Sequence, residues 1–198
     1  MKSIMSITII LSLFFFCMLV QADTGDFGII MDVSGEITIN RWENKIAAEL
    51  GSTIISKDII TLAKGSTVVI VSYDDCQEWI LTGPDNITIK AGKIKSERGS
   101  ISSKRQLPIC YSMEDIKDDS SDIIGGFVLR GAPKDPLVPL REEFNSGKAS
   151  NSTIITLIMH DLHNGHMEQT EQYFNVLRSR APESEFVKAL SNRLENKQ

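Results

Sequence analysis

The feature that most constrains this chain is a series of short β-branched segments between residues 33 and 89, each closed by Gly, Asp, Asn or Lys. It opens Val33-Ser34-Gly35-Glu36-Ile37-Thr38-Ile39 and closes Leu81-Thr82-Gly83-Pro84-Asp85-Asn86-Ile87-Thr88-Ile89. Successive side chains of a strand point to opposite faces, so Ile37 and Ile39 set against Glu36, Thr38 and Asn40 describe a half-buried strand. Repetition of that pattern between tight-turn residues predicts an all-β module. Residues 67–73 are apolar at consecutive positions, which predicts a central strand covered on both faces. Residues 77–82 are expected to pair with it across Asp74-Asp75-Cys76, with Trp79 and Leu81 on one face and Glu78, Ile80 and Thr82 on the other. The predicted core draws on Ile29, Val33, Ile37, Ile39, Ile54, Ile59, Leu62, Val68, Ile70, Trp79, Leu81, Ile87 and Ile89. Each buried aliphatic side chain contributes about 1.5 to 3 kcal/mol.

The turn residues carry a resemblance. Gly51, then Lys57-Asp58-Ile59-Ile60-Thr61, then Ser66-Thr67-Val68-Val69-Ile70, then Tyr73-Asp74-Asp75, then Gly83-Pro84-Asp85 follow in an order that resembles the FecR-type periplasmic domain. The resemblance spans residues 33–89 and implies a small β-sandwich or roll in the cell envelope; it says little about chemistry. Lys57 stands where that family has Gly, which implies that the turn does not need a positive φ there or is of another type. Signalling members of the family have a cytoplasmic segment that engages a sigma factor. Only Met1, Lys2 and Ser3 precede the apolar run here, so that segment is not expected.

The amino terminus reads as an export signal. Lys2 supplies a positive start, residues 4–20 are almost wholly apolar, and Val20-Gln21-Ala22 offers a cleavage site ahead of Asp23. Cleavage is expected after Ala22, placing the protein in the periplasm or outside the cell, while a run of this length also fits an uncleaved anchor. Cys17 follows Phe14-Phe15-Phe16 instead of the small residues a lipoprotein signal needs. Without Lys2 the chain has 20 basic against 26 acidic residues and no basic block, which argues against nucleic acid and against anionic membranes. Removal of Cys17 leaves Cys76 and Cys110, an even pair in an oxidising compartment. They are expected to form a disulfide, the alternative being two separate thiols.

Beyond the module, residues 93–104 are polar and Ser-rich, a long loop or hairpin. Residues 107–111 bring Cys110 back to the sheet, and residues 123–130 read as a last strand with a bulge at Gly125-Gly126. The β domain is therefore set at residues 23–130. Pro133, Pro136 and Pro139 mark residues 131–150 as an extended linker. From residue 151 the period becomes helical, with Ile154, Ile155, Ile158 and Leu162 lining a first helix that ends at Asn164-Gly165. Met167, Thr170, Phe174 and Leu177 line a second, and Phe186, Leu190 and Leu194 a third. The spacing of Gly165, Phe174 and Pro182 resembles a single tetratricopeptide repeat, so residues 151–198 are expected to form a helical hairpin. A lone repeat cannot cover its own apolar face and must pack on the β module, a copy of itself or a partner. The overall class is α+β, mainly β with a C-terminal helical hairpin.

Three groups of residues are candidates for function. Trp42, flanked by Arg41 and Lys45 in a polar hairpin tip, can stack on a sugar or a partner's apolar patch, or fold back over the sheet edge. His160, His163 and His166 fall within seven residues and, with Asp161 or Glu168, are of a type to bind a divalent metal; the competing reading is a solvated helix end. Asp58, Asp74 and Asp75 are expected to cap turns. No nucleophile motif, phosphate loop or dinucleotide turn is present. The expected function is an exported, non-catalytic binding protein of the envelope that recognises a protein or glycan, with no cofactor. Its alternatives are a zinc-dependent envelope enzyme centred on the histidines and a structural component that self-associates through its C-terminal helices.

Overall fold

The computed structural model describes residues 25–90, 92–99, 101–111 and 135–195. The leader and the strand expected at residues 123–130 lie outside them. The described residues form ten strands: β1 (Asp26–Ser34), β2 (Ile37–Arg41), β3 (Asn44–Ala47), β4 (Thr53–Ile55), β5 (Ile59–Leu62), β6 (Thr67–Ser72), β7 (Gln77–Thr82), β8 (Asp85–Lys90), β9 (Lys93–Ser96) and β10 (Ile101–Gln106). Four helices follow, α1 (Val138–Asn145), α2 (Asn151–His163), α3 (Met167–Arg180) and α4 (Glu185–Glu195). None is long and apolar enough to cross a membrane.

The strands make two antiparallel five-stranded sheets, ordered β10-β7-β6-β1-β4 and β3-β2-β5-β8-β9. Between them, Ile30, Val68, Ile70 and Leu81 of the first sheet meet Ile37, Ile39, Ile60, Leu62, Ile87 and Ile89 of the second. The opposite face of the first sheet is just as apolar. Ile29 and Met31 of β1 and Val69 and Val71 of β6 turn outward from the sandwich and pack with Ile154, Ile158, Leu177, Phe186 and Leu190 of the helices. The molecule is thus three layers, with the first sheet in the middle. An irregularity in β1 between Ile30 and Asp32 shifts its register against β6, so that Met31 faces the helices while Val33 packs toward the sandwich.

The consecutive apolar positions of residues 67–73 therefore mean what they predict, a strand buried on both faces, and the cover on one side is the C-terminal helices. The helices' apolar residues find their partner within the chain. Helix α2 is buried nearly all round, from Asn151 through Met159, and not along one stripe. Its first turn is capped by the Ser150 hydroxyl, which accepts from the Thr153 N–H.

Four expectations are corrected. Ile59 is exposed and Ile60 is buried. Pairing of Ile39 with Ile60 and Ile37 with Leu62 fixes the phase, and Ile59 cannot share a face with Leu62 in a strand of period two. Ile29 lies in the core between sheet and helices, not in the sandwich. Residues 93–104 are not a hairpin, because β9 pairs with β8 in one sheet and β10 with β7 in the other. The linker is not extended throughout: α1 forms within it, with Pro139 in the first helical turn where no backbone N–H is needed. Leu137 and Leu140 join the helix-side core.

Polar groups also join the layers. Glu78 on β7, buried in the helix-facing side of the sheet, receives Arg105 Nε of β10 at 2.7 Å. Ser152 Oγ of α2 donates to the same carboxylate. The Arg105 guanidinium continues to Glu143 Oε1 of α1 at 2.8 Å, to Thr153 Oγ1 at 2.7 Å and to Ser150 Oγ at 3.0 Å. Burial works against its charge, but the hydrogen bonds to Glu143 and the attraction of Glu78 outweigh it and hold its pKa above the ordinary value. One cation thereby ties two strands to two helices. The expected disulfide is present, Cys76 to Cys110, with a Cα–Cα distance of 5.3 Å and a sequence separation of 34.

Two stability changes follow. Glu78→Ala takes from Arg105 one of its two carboxylate partners and from Ser152 a buried acceptor, and is expected to lower unfolding stability by about 2 to 3 kcal/mol, read as a fall in the urea midpoint at constant slope. Opening the disulfide as Cys76→Ser/Cys110→Ser is expected to cost about 3 to 4 kcal/mol from loop entropy, read the same way.

Candidate functional site

The candidate site is one end of the second sheet. Arg41 pairs with Asn44, so Trp42 and Glu43 are the two central residues of the β2–β3 hairpin. Trp42 has φ 53° and Glu43 does not share that sign. A positive φ at the first position of a two-residue hairpin is the type II′ pattern, which favours Gly because a Cβ crowds the following carbonyl. The indole nevertheless stands 77% exposed. It does not fold back over the sheet edge.

Arg41 does not accompany it. Its guanidinium turns onto the β4–β5 turn, where Nε donates to Asp58 Oδ1 at 3.0 Å and Nη2 to Asp58 Oδ2 at 2.7 Å and to the Thr53 carbonyl at 2.8 Å. The hydrogen bond to Asp58 raises the Arg41 pKa against the opposing effect of partial burial. Asp58 is buried and also accepts from the Ile55 N–H at 3.0 Å, the turn-capping role expected of it. Arg41 is thus a strut that fixes the hairpin tip to its neighbour, and not a partner-facing cation. Lys45, by contrast, is exposed on β3.

The β4–β5 turn corrects the expectation for Lys57. Asp58 N–H bonds back to the Ile55 carbonyl at 3.2 Å, and Lys57 at the third turn position has φ 77°. That is the left-handed conformation of a type II turn, held although the residue has a Cβ. The Lys57 N–H donates to the Ile89 carbonyl at 2.9 Å, which locks the turn to β8.

Antiparallel register brings these loops together. Asn40 pairs with Ile59, Ile59 with Thr88, and Lys90 with Lys93, so the Trp42 tip, the Lys57 turn and the β8–β9 connection at Gly92 share one end of the sheet. The outer face beside them is polar and ordered. Asn40 Nδ2 donates to Thr61 Oγ1 at 3.0 Å, Thr61 Oγ1 to Asn86 Oδ1 at 3.1 Å, and Asn86 Nδ2 to Glu97 Oε2 at 3.1 Å. Ile59 is exposed within this face.

Two of the histidines, His160 and His166, lie beside a buried carboxylate. Asp161 takes Arg141 Nη2 at 3.0 Å and His160 Nδ1 at 2.9 Å, with His166 Nδ1 at 3.5 Å. Burial and then the nearby Asp161 charge push the Tyr173 phenol above its ordinary pKa. His160 is largely covered and not solvent-facing, whereas His163 is exposed. Among the described residues no group of three or more His, Cys, Asp or Glu side chains is arranged to hold a metal ion. Asp75 caps its hairpin as expected, accepting from the Gln77 N–H at 3.2 Å and from Ser72 Oγ.

A cleft of about 340 Å³ lies where β1 meets the helices, lined by Asp32, Val33, Glu49, Asn151, Arg180 and Glu183 among others. Arg180 is committed there to the Ala149 carbonyl at 2.8 Å and to Asn151 Oδ1 at 3.2 Å. No sequence signal marks this cleft, because its walls come from residues more than a hundred positions apart. No protein-family model, curated protein or solved structure matches the chain.

The Lys57 conformation is testable by substitution. Lys57→Gly removes about 1 to 2 kcal/mol of left-handed strain and adds about 0.5 to 1 kcal/mol of unfolded-chain entropy, so a gain of up to about 1 kcal/mol is expected. Lys57→Val, β-branched at the same φ, is expected to lose more than about 1 kcal/mol. Urea denaturation of the two variants is expected to move the midpoint in opposite directions.

Proposed function

We propose that the protein is an exported, non-catalytic binding protein of the cell envelope, built on a FecR-type β module, which recognises a protein or glycan through the Trp42 hairpin tip. The observation that carries this reading is Trp42 itself. A large aromatic ring at a glycine-favouring φ, exposed to water, contributes little to the fold that holds it. Residues kept in costly conformations without a packing return are characteristic of recognition sites. Arg41 and Asp58 support the reading from below, since a bidentate pair fixes the tip before any partner arrives and reduces the ordering cost of binding. The export signal supplies the compartment, and the disulfide suits an oxidising one.

Trp42→Gly separates recognition from folding. The variant is expected to unfold at the same or a slightly higher urea concentration than the parent chain and to co-sediment with purified cell-envelope material at least about tenfold less well. Envelope binding equal to that of the parent would contradict the reading.

A further inference from the structure

The outer face of the second sheet has a charge of its own, opposite to that of the chain. The whole sequence has a formal charge of -5. Yet Lys45, Lys90, Lys93 and Lys95 are all exposed on this one face. Their position follows from register. Lys45 opposes Asn40, Asn40 opposes Ile59, Ile59 opposes Thr88, and Thr88 opposes Lys95, a single straight row across all five strands. At about 4.8 Å per strand, the lysines at its two ends stand about 19 Å apart. Lys90 and Lys93 form the adjacent row, and Lys57 sits in the turn at the same end. The acids around this face are Glu43 beside Trp42, Asp26 near Arg41, Asp74 close to Gly92, Glu97, which is hydrogen-bonded to Asn86, and Glu36 at the far end of β2; none of them lies in the two lysine rows.

We propose that this face docks an extended anionic polysaccharide, with Trp42 as the stacking platform at its edge; the assignment rests on the binding reading above and names its ligand. The lysine separation fits a polymer, since a small anion touches one end of the row only. The residues between the lysines are amides and hydroxyls, Asn40, Thr61, Asn86 and Thr88, suited to sugar hydroxyls. A membrane surface asks instead for a contiguous apolar area, and this face offers Ile59 within a polar ladder. Ammonium groups are strongly hydrated point charges on flexible stems, so they can follow repeated carboxylates or phosphates along a chain without fixed geometry.

The test is isothermal titration of the full chain with polygalacturonate, with neutral dextran and with phosphatidylglycerol vesicles. Polygalacturonate is expected to bind, dextran not, and the affinity to fall at least about tenfold between roughly 0.05 and 0.5 M salt as the charges are screened. Lys45→Glu/Lys95→Glu is expected to weaken that binding at least about tenfold with an unchanged urea midpoint, while Lys148→Glu, beyond the C-terminus of α1, leaves it unaltered. Equal binding of polygalacturonate and dextran, no binding of polygalacturonate, indifference to the double charge reversal, or capture by the vesicles alone would each overturn the proposal. If envelope binding depends on Trp42 but ignores the charge reversal, the polysaccharide assignment fails and the binding reading stands. If Trp42→Gly binds envelope normally, the reading itself fails.

Discussion

Strand β6 and the central run of β1, residues 27–31, have no water-facing side, and the layers around them satisfy that condition. Ile30, Val68 and Ile70 need the second sheet, while Ile29, Met31, Val69 and Val71 need the helices. A sheet with two apolar faces is insoluble until both are covered. The helical segment is therefore less an appended module than the third layer of a sandwich, and its near-complete burial at α2 follows. The disulfide and the Arg105 network lie along the same junction. Arg105 joins the first sheet to the helices that cover it, and the disulfide joins the β6–β7 turn to the chain leaving β10.

The division of labour between the two sheets follows from that arrangement. The centre of the first sheet, β1 and β6, packs on both faces, whereas among the described residues the second sheet turns a broad side toward solvent. Apart from the outward Ile59 and the inward Asp85, the buried inward positions of β2, β5 and β8 are Ile and Leu and the outward ones Asn, Thr and Lys, the alternation expected of a half-exposed antiparallel sheet. Its loops are fixed from beneath by backbone and charge, through Lys57 to Ile89 and through Arg41 to Asp58. The exposed aromatic and the lysines consequently sit on a rigid support, the condition under which a few side chains give specific binding.

Much of this was legible in the sequence where local pattern decides structure. The strands at residues 67–72 and 77–82, their facing pair, the cysteine pair and the turn at Gly51 follow from alternation, apolar runs and turn chemistry. What was not legible depends on partners distant in the chain. An Ile-Ile doublet does not state its own phase, so Ile59 and Ile60 are told apart only by pairing with β2. Lys57 violates the local preference for glycine because hydrogen bonds on both sides over-determine the turn. Arg41 reads as a surface cation until the β4–β5 turn supplies Asp58, and Pro139 reads as extended chain because proline suits a helix start as well as a linker. The three histidines are neighbours in sequence, but two of them, His160 and His166, meet the Asp161 carboxylate and His163 points to solvent. The lysine row of the second sheet is scattered over residues 45–95 and becomes a row only through register.

The central claim is that sheet and helices form one cooperative body, leaving the second sheet's outer face for recognition. Native-state amide hydrogen exchange tests it most directly, because it reports opening free energies segment by segment. The account predicts that the buried amides of β1, β6 and α2 exchange only through a common global unfolding, with matching protection. Protection of α2 well below that of β6, with the helices opening while the sandwich stays closed, would contradict it.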